Sequence, residues 1–291
     1  MIYTAQETQF KDTWQFSNKA MHTRFDLWIY EPNASYAEKA AFGTFEILFA
    51  LEEKLSRFIP NSEIARINQL DGDTEIRLSP DTYDCLEIAV MLYEKTGGKF
   101  DPNYLSGDNG FGMIKLNPDH LSMITPPQGL TLDLGGIGKG FAVDRMAAEL
   151  LEWDIPAFLI SGGKSSVRAG AAPKDTNGWR LSLWPPNVQD EPLTEFIIKH
   201  QSLGASGLDK GPHIIDPNKV GVISGRAVWV AAFSAAVADG LSTAFMMMAL
   251  HDIENVALDF NSSAAIWENE SLKVIGENLF NINYLNRKKY E

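Results

Sequence analysis

The sequence predicts an α+β fold, in which the strands of a mixed or antiparallel sheet are flanked by helices. Apolar residues recur with a period of two over residues 21–29, and with a spacing of three and four in longer segments. The strand-like and helix-like segments come in runs along the chain. This order argues against an α/β barrel, where strands and helices alternate strictly.

The N-terminal part predicts one strand followed by two helices. Residues 21–29 alternate apolar and polar side chains, as a half-buried strand does. Over residues 36–58, Phe and Leu recur at three- and four-residue spacing among Glu and Lys, which predicts an amphipathic helix. In the second helix we expect Ser79 as the N-cap, Pro80 as the first residue and Gly97-Gly98 as the stop.

The middle of the chain predicts a short strand over residues 130–134, then a glycine-rich turn, then a helix that carries Val143, Met146 and Leu150. One more helix is expected from about residue 233 to 250. Further strands are expected at residues 157–161, 180–184, 195–199, 227–232, 256–260, 264–267 and 272–275.

Composition describes an ordinary globular protein of one or two domains. The 291 residues include 25 Lys and Arg against 38 Asp and Glu, so the formal net charge is −13. Such a field repels phosphate backbones and argues against nucleic acid as a partner. The only cysteine, Cys85, cannot form an internal disulfide and lies in a helical apolar pattern.

The N-terminal residues predict a cytoplasmic protein. Residues 1–30 contain no basic stretch followed by an apolar run, so no secretory signal is visible. A periplasmic location would apply if an export segment had been removed from the chain. The most apolar segment, residues 231–250, is interrupted by polar side chains, which argues against membrane insertion.

A glycine-rich loop at residues 133–140 is the sharpest local feature. Glycines between a strand and a helix let backbone N–H groups approach an anion closely, and phosphate is the obvious candidate. The loop has Gly140 where a P-loop needs Ser or Thr, and it is one residue short of the dinucleotide fingerprint. A plain tight turn is the alternative. The failed fingerprint argues against an NAD-dependent dehydrogenase.

Two further residue pairs could carry chemistry. Asp239 and Thr243 lie four apart on a predicted helix, so their oxygens share one face and suit a hard divalent cation. A structural role, with Thr243 bonded back to the preceding turn, is the alternative. His213 and Asp216 flank two isoleucines, where the imidazole could be a base or serve structure only.

The order of motifs over roughly residues 21–250 resembles the ApbE family, whose members are FAD:protein FMN transferases. The motifs that carry the resemblance are Met21-His22-Thr23, Leu55-Ser56-Arg57-Phe58 with Ser62-Glu63, Gly98-Lys99-Phe100-Asp101-Pro102, residues 133–140 with Val143-Asp144, Ser161-Gly162-Gly163, Ser206-Gly207, residues 213–217 and residues 238–243.

The resemblance implies a single domain over residues 1–291, with the motifs in about residues 20–250. It implies a Mg²⁺-dependent enzyme that cleaves the pyrophosphate of FAD and attaches FMN through a phosphoester to a Ser or Thr of an acceptor flavoprotein, releasing AMP. A hydrolase that converts FAD to FMN and AMP is one alternative. A catalytically weakened FAD-binding protein is the alternative from another class.

The resemblance also assigns roles to individual residues. His213 is the expected general base. Gly138, through its carbonyl, and Asp239 and Thr243, through side-chain oxygens, are the expected metal ligands. The expected contacts to FAD are Met21, Phe58, Lys99, Phe100, Asp101, Gly135, Lys139, Phe141, Ile214 and Asp216.

Four departures from the family pattern are specific. His22 replaces the usual Gly after Met, and Lys164 stands where many members have Asp after Gly-Gly. Gly138 replaces a common Ala, which is harmless if only its carbonyl binds metal. The segment 206–212 is short and lacks the Tyr that often follows Ser-Gly, which puts acceptor docking in doubt.

Overall fold

The computed structural model describes residues 6–7, 11–107, 110–184, 192–207 and 225–276. The helices in these ranges are α1 Ala34–Leu55, α2 Glu63–Ile67, α3 Pro80–Lys95, α4 Gly138–Glu152, α5 Ala235–Phe245 and α6 Leu250–Asp259. The strands are β1 Gln6–Glu7, β2 Thr13–Ala20, β3 Thr23–Tyr30, β4 Glu75–Arg77, β5 Lys115–Asn117, β6 Ser122–Ile124, β7 Phe158–Gly162, β8 Ser166–Ala169, β9 Trp179–Leu183, β10 Thr194–Ile198, β11 Gln201–Ser206, β12 Ala227–Ala232, β13 Ser263–Glu268 and β14 Ser271–Ile275.

A nine-stranded sheet organises the fold, with the strand order β1-β2-β3-β7-β8-β11-β12-β13-β14. Its neighbouring strands pair antiparallel throughout the described residues. A hairpin of β9 and β10 and a small sheet in the order β4-β6-β5 complete the strands. The predicted α+β class, with an antiparallel sheet and flanking helices, is confirmed.

Both faces of the large sheet are covered. Helices α1, α4 and α5 pack on one face, where α1 buries Phe45, Leu48 and Leu51 in the main core, and α3 packs against α1 and α5. The β9–β10 hairpin covers the other face, and its Trp179 and Phe196 belong to a second core. All six residues of β12 are therefore buried, since a strand covered on both sides has no solvent face.

The predicted helix boundaries are confirmed where capping chemistry marked them. Ser79 accepts a hydrogen bond from the N–H of Thr82, with Pro80 in the first turn of α3. Gly97 and Gly98 follow the helix with φ of +59° and +77°, a conformation that favours glycine and ends the helix.

The strand predicted over residues 130–134 is wrong, because this segment joins no strand ladder. Its backbone is held by side chains instead. The amide of Asn68 donates to the carbonyl of Leu132 at 2.9 Å and accepts the N–H of Leu132 at 2.7 Å. The Asn103 amide oxygen accepts the N–H of Thr131 at 2.7 Å. An apolar run cannot reveal such partners, which lie far away in sequence.

The strand predicted over residues 256–260 is also wrong, because these residues lie in or directly after α6. Ile253, Val256 and Ala257 face the core at helical spacing, while Leu258 is 77% exposed. The single helix predicted to reach residue 250 is divided into α5 and α6. The Arg226 guanidinium marks this division, since it donates to the carbonyls of Phe245, Met246 and Met248.

The strand predicted to start at Met21 begins two residues later. Met21 and His22 form the tight turn between β2 and β3, with φ of +48° and +58°. Two successive left-handed residues are typical of hairpin turns, in which Gly or Asn usually occurs. The preceding strand, β2, was not predicted.

The sheet brings the motif-bearing loops to one end. Antiparallel pairing aligns Ala20 with Thr23, Gly162 with Phe25 and Ser166, and Ser206 with Val228. The β2–β3 turn, the β7–β8 turn and the two strands that flank the β11–β12 connection therefore lie side by side. We call this end of the sheet the site end.

In the described ranges, no helix combines the length and the apolar character that crossing a bilayer requires.

Candidate active site

The Asp239 carboxylate lies where the glycine loop meets α5. The residue is buried, and its Oδ2 accepts the N–H of Gly140 at 3.1 Å. The ammonium of Lys139 lies 3.8 Å from the same oxygen. A buried carboxylate needs such partners, because burial without compensation costs several kcal/mol. The first turn of α4 thus faces the predicted metal ligand on α5.

The close approach of α4 and α5 depends on Gly140 in α4. A Cβ atom at Gly140 would lie 2.2 Å from the carbonyl oxygen of Ala235, which is backbone and cannot rotate away. Gly138 is different, since its nearest neighbour would be Leu134 Cβ at 3.9 Å, an ordinary contact. The replacement of the family's Ala by Gly138 therefore matches a position with room for a methyl group.

We expect Gly140→Ala to destabilise the protein by at least about 1–3 kcal/mol, because α4 and α5 must separate to admit the methyl group. Gly138→Ala is the matched control and should be neutral or slightly stabilising, since Ala is the better helix former. Urea unfolding of both variants measures the difference. Equal stabilities would contradict the close approach of the two helices.

A cluster of hydroxyls adjoins Asp239 at the site end. Thr243 Oγ1 donates to the carbonyl of Asp239 at 3.2 Å, so the back-bonded arrangement considered for Thr243 is present. Ser206 Oγ lies 2.8 Å from Ser242 Oγ and 3.4 Å from Thr243 Oγ1. A Cβ atom at Gly136 would lie 3.3 Å from Thr243 Oγ1, so the glycine loop passes directly beside this hydroxyl.

The N-terminus of α5 is fixed by the Val143-Asp144 motif. The Asp144 carboxylate accepts the Ser234 hydroxyl at 2.7 Å and the N–H groups of Ala235 and Ala236, each at 2.9 Å. It also pairs with Arg168. A carboxylate at a helix N-terminus satisfies free donors and the helix dipole together. Asp144 therefore positions the helix that carries Asp239 and Thr243.

Phe58 presents an aromatic surface at the site. Its side chain is 63% exposed, and the Arg57 guanidinium lies 4.2 Å from the ring centroid. The His22 ring meets Phe58 edge-on, with centroids 5.5 Å apart. An exposed aromatic ring held by a cation and a second ring suits stacking with a planar ligand. The predicted flavin contact of Phe58 remains a prediction.

Asp133 connects this aromatic surface to the glycine loop. Its Oδ1 accepts the N–H of Gly135 at 2.9 Å, while its Oδ2 lies 3.0 Å from Arg57 Nε and accepts the Tyr104 hydroxyl at 3.2 Å. Burial, and then the Asp133 carboxylate, raise the pKa of Tyr104 above its ordinary value. Tyr104 therefore stays a hydrogen-bond donor throughout the neutral pH range.

The β2–β3 turn is anchored to α1 beside Phe58. The N–H of Met21 donates to Glu52 Oε1 at 2.6 Å. His22 adopts a left-handed conformation, which explains a preference for Gly at this position and costs a non-glycine residue about 1 kcal/mol or more. Lys164, the other departure in this region, is exposed on the β7–β8 turn.

Several predicted FAD contacts lie at the site with different exposures. Gly135 is exposed on the loop, and Lys99, Asp101 and Lys139 are half-buried. Phe100 and Phe141 are each 3% exposed. A Cβ atom at Gly136 would lie 3.3 Å from the Phe100 ring, so this ring packs against the glycine loop. The assigned FAD contacts of these residues remain predictions.

His213, Ile214 and Asp216 lie outside the described residues, as does most of the 206–212 segment whose shortness was noted. The described strands on either side of them, β11 and β12, lie next to each other in the sheet. Ser206, the last residue of β11, touches the hydroxyls of α5.

The side-chain oxygens of Asp239 and Thr243 are donors of the kind that Mg²⁺ prefers. This ion binds through one or two carboxylates and relies on substrate phosphates and water for its other ligands. The Asp239 carboxylate and the Thr243 hydroxyl, with the predicted Gly138 carbonyl, would form such a sparse oxygen set. Across the part of the chain that the structure describes, no group of three or more His, Cys, Asp or Glu side chains could enclose a metal by itself.

Three residues that position the site were not predicted. Arg57 connects Phe58 to Asp133, Ser206 touches Thr243, and Arg226 caps the C-terminus of α5 while pairing with Glu268 at 3.0 Å. Arg57 and Ser206 lie within the quoted motifs, so their place there was the available signal. The sequence around Arg226 contained no motif that indicated its role.

A comparison of the sequence with protein-family models identifies the family. The ApbE family model matches residues 21–113 and 108–267, so the chain belongs to the ApbE family.

Named relatives show similarity over most of the chain. An FAD:protein FMN transferase of Vibrio cholerae is 24% identical over 271 residues, covering 80% of each chain. An FAD:protein FMN transferase of Haemophilus influenzae is 26% identical over 244 residues, covering 69% of this chain and 70% of the relative.

Solved structures share the fold. The flavin transferase ApbE from Vibrio cholerae superposes with a TM-score of 0.78 at 21% identity, over 94% of this chain and 98% of the other. The ApbE protein of Thermotoga maritima also gives 0.78, at 20% identity, over 90% and 97% of the two chains.

Proposed function

We infer that this chain is an FAD:protein FMN transferase. The observation that carries the inference is the convergence, at one end of the sheet, of the glycine loop, the buried Asp239 and the Thr243 hydroxyl. This occurs in a chain of the ApbE family whose relatives bear that name.

In the proposed reaction, the hydroxyl oxygen of an acceptor Ser or Thr attacks the FMN phosphorus of FAD. The new P–O bond forms as the pyrophosphate bond breaks, and AMP leaves with the bridging oxygen. The hydroxyl proton needs a base, and we propose His213 for this role because a neutral imidazole accepts a proton near pH 7. Asp216 and Ile214 would position its loop and the nucleotide.

We propose that Asp239, Thr243 and the Gly138 carbonyl hold Mg²⁺. Such an ion neutralises charge on the phosphoryl oxygens of a pyrophosphate during cleavage. The Lys139 ammonium would add positive charge on the same side. Met21, Phe58, Lys99, Phe100 and Asp101 would contact the flavin, and Gly135 and Phe141 would flank the nucleotide.

Mass spectrometry tests the function directly. Incubation with FAD, Mg²⁺ and candidate acceptor flavoproteins should add the mass of FMN to a Ser or Thr of one acceptor, with one AMP released per transfer. Release of FMN and AMP without an acceptor adduct would favour the hydrolase. Binding of FAD without AMP release would favour the catalytically weakened FAD-binding protein. The departures from the family pattern at His22 and Lys164 are the reason for considering this alternative.

We expect the purified protein to bind FAD more tightly than FMN, since the proposed contacts engage both halves of the dinucleotide. Isothermal titration with each ligand measures the difference, and riboflavin serves as a control for the ring alone. Equal affinities for FMN and FAD would contradict the dinucleotide site.

We also propose that the whole chain acts as a single domain and works in the cytoplasm, where FAD and newly made acceptor proteins are both present. Fractionation of cells that produce the protein at its native level tests the compartment.

A further inference from the structure

Lys139 places a cation of the protein's own at the proposed metal site. Its Nζ lies 3.8 Å from Asp239 Oδ2 and donates to the carbonyl of Gly135 at 3.0 Å. The two charged side chains are 20% and 4% exposed, so water screens them little. The ammonium thus neutralises the buried carboxylate in the absence of a divalent ion.

A divalent cation bound to Asp239 would share one carboxylate with this ammonium. Two positive charges beside one poorly solvated carboxylate repel each other, and the repulsion rises as the effective dielectric constant falls. Withdrawal of Lys139 from Asp239 would relieve this repulsion. Its flexible four-carbon stem allows that movement from the first turn of α4.

We propose that Lys139 is an internal counter-ion that occupies Asp239 in the metal-free protein and weakens divalent-metal binding until a pyrophosphate offers the ammonium another anion. This proposal rests on the proposed function, because it takes the metal and FAD as the ligands of this site. It predicts that the metal-free protein binds metal poorly and that the substrate and the metal assist each other's binding, as linked ligands must.

The test measures Mn²⁺ binding to the protein without FAD or acceptor, by isothermal titration. Lys139→Met should bind Mn²⁺ at least about tenfold more tightly than the wild type, since a competing charge is gone. Lys139→Gln, which keeps a donor for the Gly135 carbonyl, should gain affinity as well. Lys139→Arg keeps the cation and should stay close to the wild type.

A matched control separates the effect of the charge beside Asp239 from the effect of the protein's net charge. Lys115→Met removes one positive charge from the exposed surface of the small sheet, and should leave Mn²⁺ affinity unchanged. Melting curves provide a second measurement. Without metal, Lys139→Met should melt below the wild type, and saturating Mn²⁺ should raise its midpoint more than that of the wild type.

Equal or weaker Mn²⁺ binding by both neutral variants would overturn the proposal, because a residue that only supports the fold, or only assists metal binding, gives that result. Absence of Mn²⁺ binding in all variants would overturn it too. The proposed function is judged separately by the mass of the acceptor. A gain in metal affinity without any FMN transfer would leave the counter-ion role standing and reject the transferase.

Discussion

Asp239→Asn should reduce Mg²⁺-dependent FMN transfer by about 10³-fold, because it removes the only carboxylate in the proposed metal set. A bound metal contributes several kcal/mol of charge stabilisation to a reaction of this kind, and each 1.4 kcal/mol is a factor of ten in rate. Asn has nearly the same shape as Asp, and its amide oxygen can still accept the N–H of Gly140. The variant should therefore fold.

Two measurements distinguish loss of the metal from loss of the fold. The melting midpoint of Asp239→Asn should stay within a few degrees of the wild type, while titration should show that Mn²⁺ no longer binds. Asp259→Asn is the matched control, since Asp259 forms an exposed ion pair with Lys95 at 3.1 Å and such pairs contribute little. Full Mg²⁺-stimulated transfer by Asp239→Asn would show that the metal is held elsewhere.

Helices with strong caps were predictable from sequence, because their signals are local. Ser79, Pro80 and the glycine pair after α3 mark their helix through contacts within a few residues. The conformation of residues 130–134 was not predictable in this way. The side chains of Asn68 and Asn103, which lie far from this segment in the sequence, form the hydrogen bonds that a neighbouring strand would otherwise form. Residues 256–260 were mistaken for a strand because five apolar-rich residues fit a strand and one helical turn equally well.

The candidate site was predicted as a set of motifs, and the sheet explains why distant motifs belong together. No local pattern indicates that Gly140 contacts Asp239, since this contact depends on how α4 and α5 cross. The contact between Lys139 and Asp239 was also not predictable from the sequence. The sequence places Lys139 in a loop for which phosphate is a candidate ligand, while the structure shows its ammonium beside a buried carboxylate.

His213→Asn should slow FMN transfer by about 10²–10⁴-fold, the usual effect of losing a general base. Asn can replace a hydrogen bond of the imidazole but cannot accept the proton of the acceptor hydroxyl. In the wild type, the transfer rate should rise with pH as the imidazole loses its proton, because only the neutral ring is a base. The Asn variant should lack this rise.

A histidine with a structural role would give a different result. Its Asn variant would lose thermal stability and FAD affinity together, and the remaining transfer rate would follow the folded fraction. The deciding experiment therefore measures single-turnover transfer at saturating FAD and Mg²⁺, across a pH series, with a melting curve for each sample. His200→Asn is the matched control, because His200 is exposed in the turn between β10 and β11, and its rate should equal that of the wild type. Transfer by His213→Asn at that same rate would assign the base to another group.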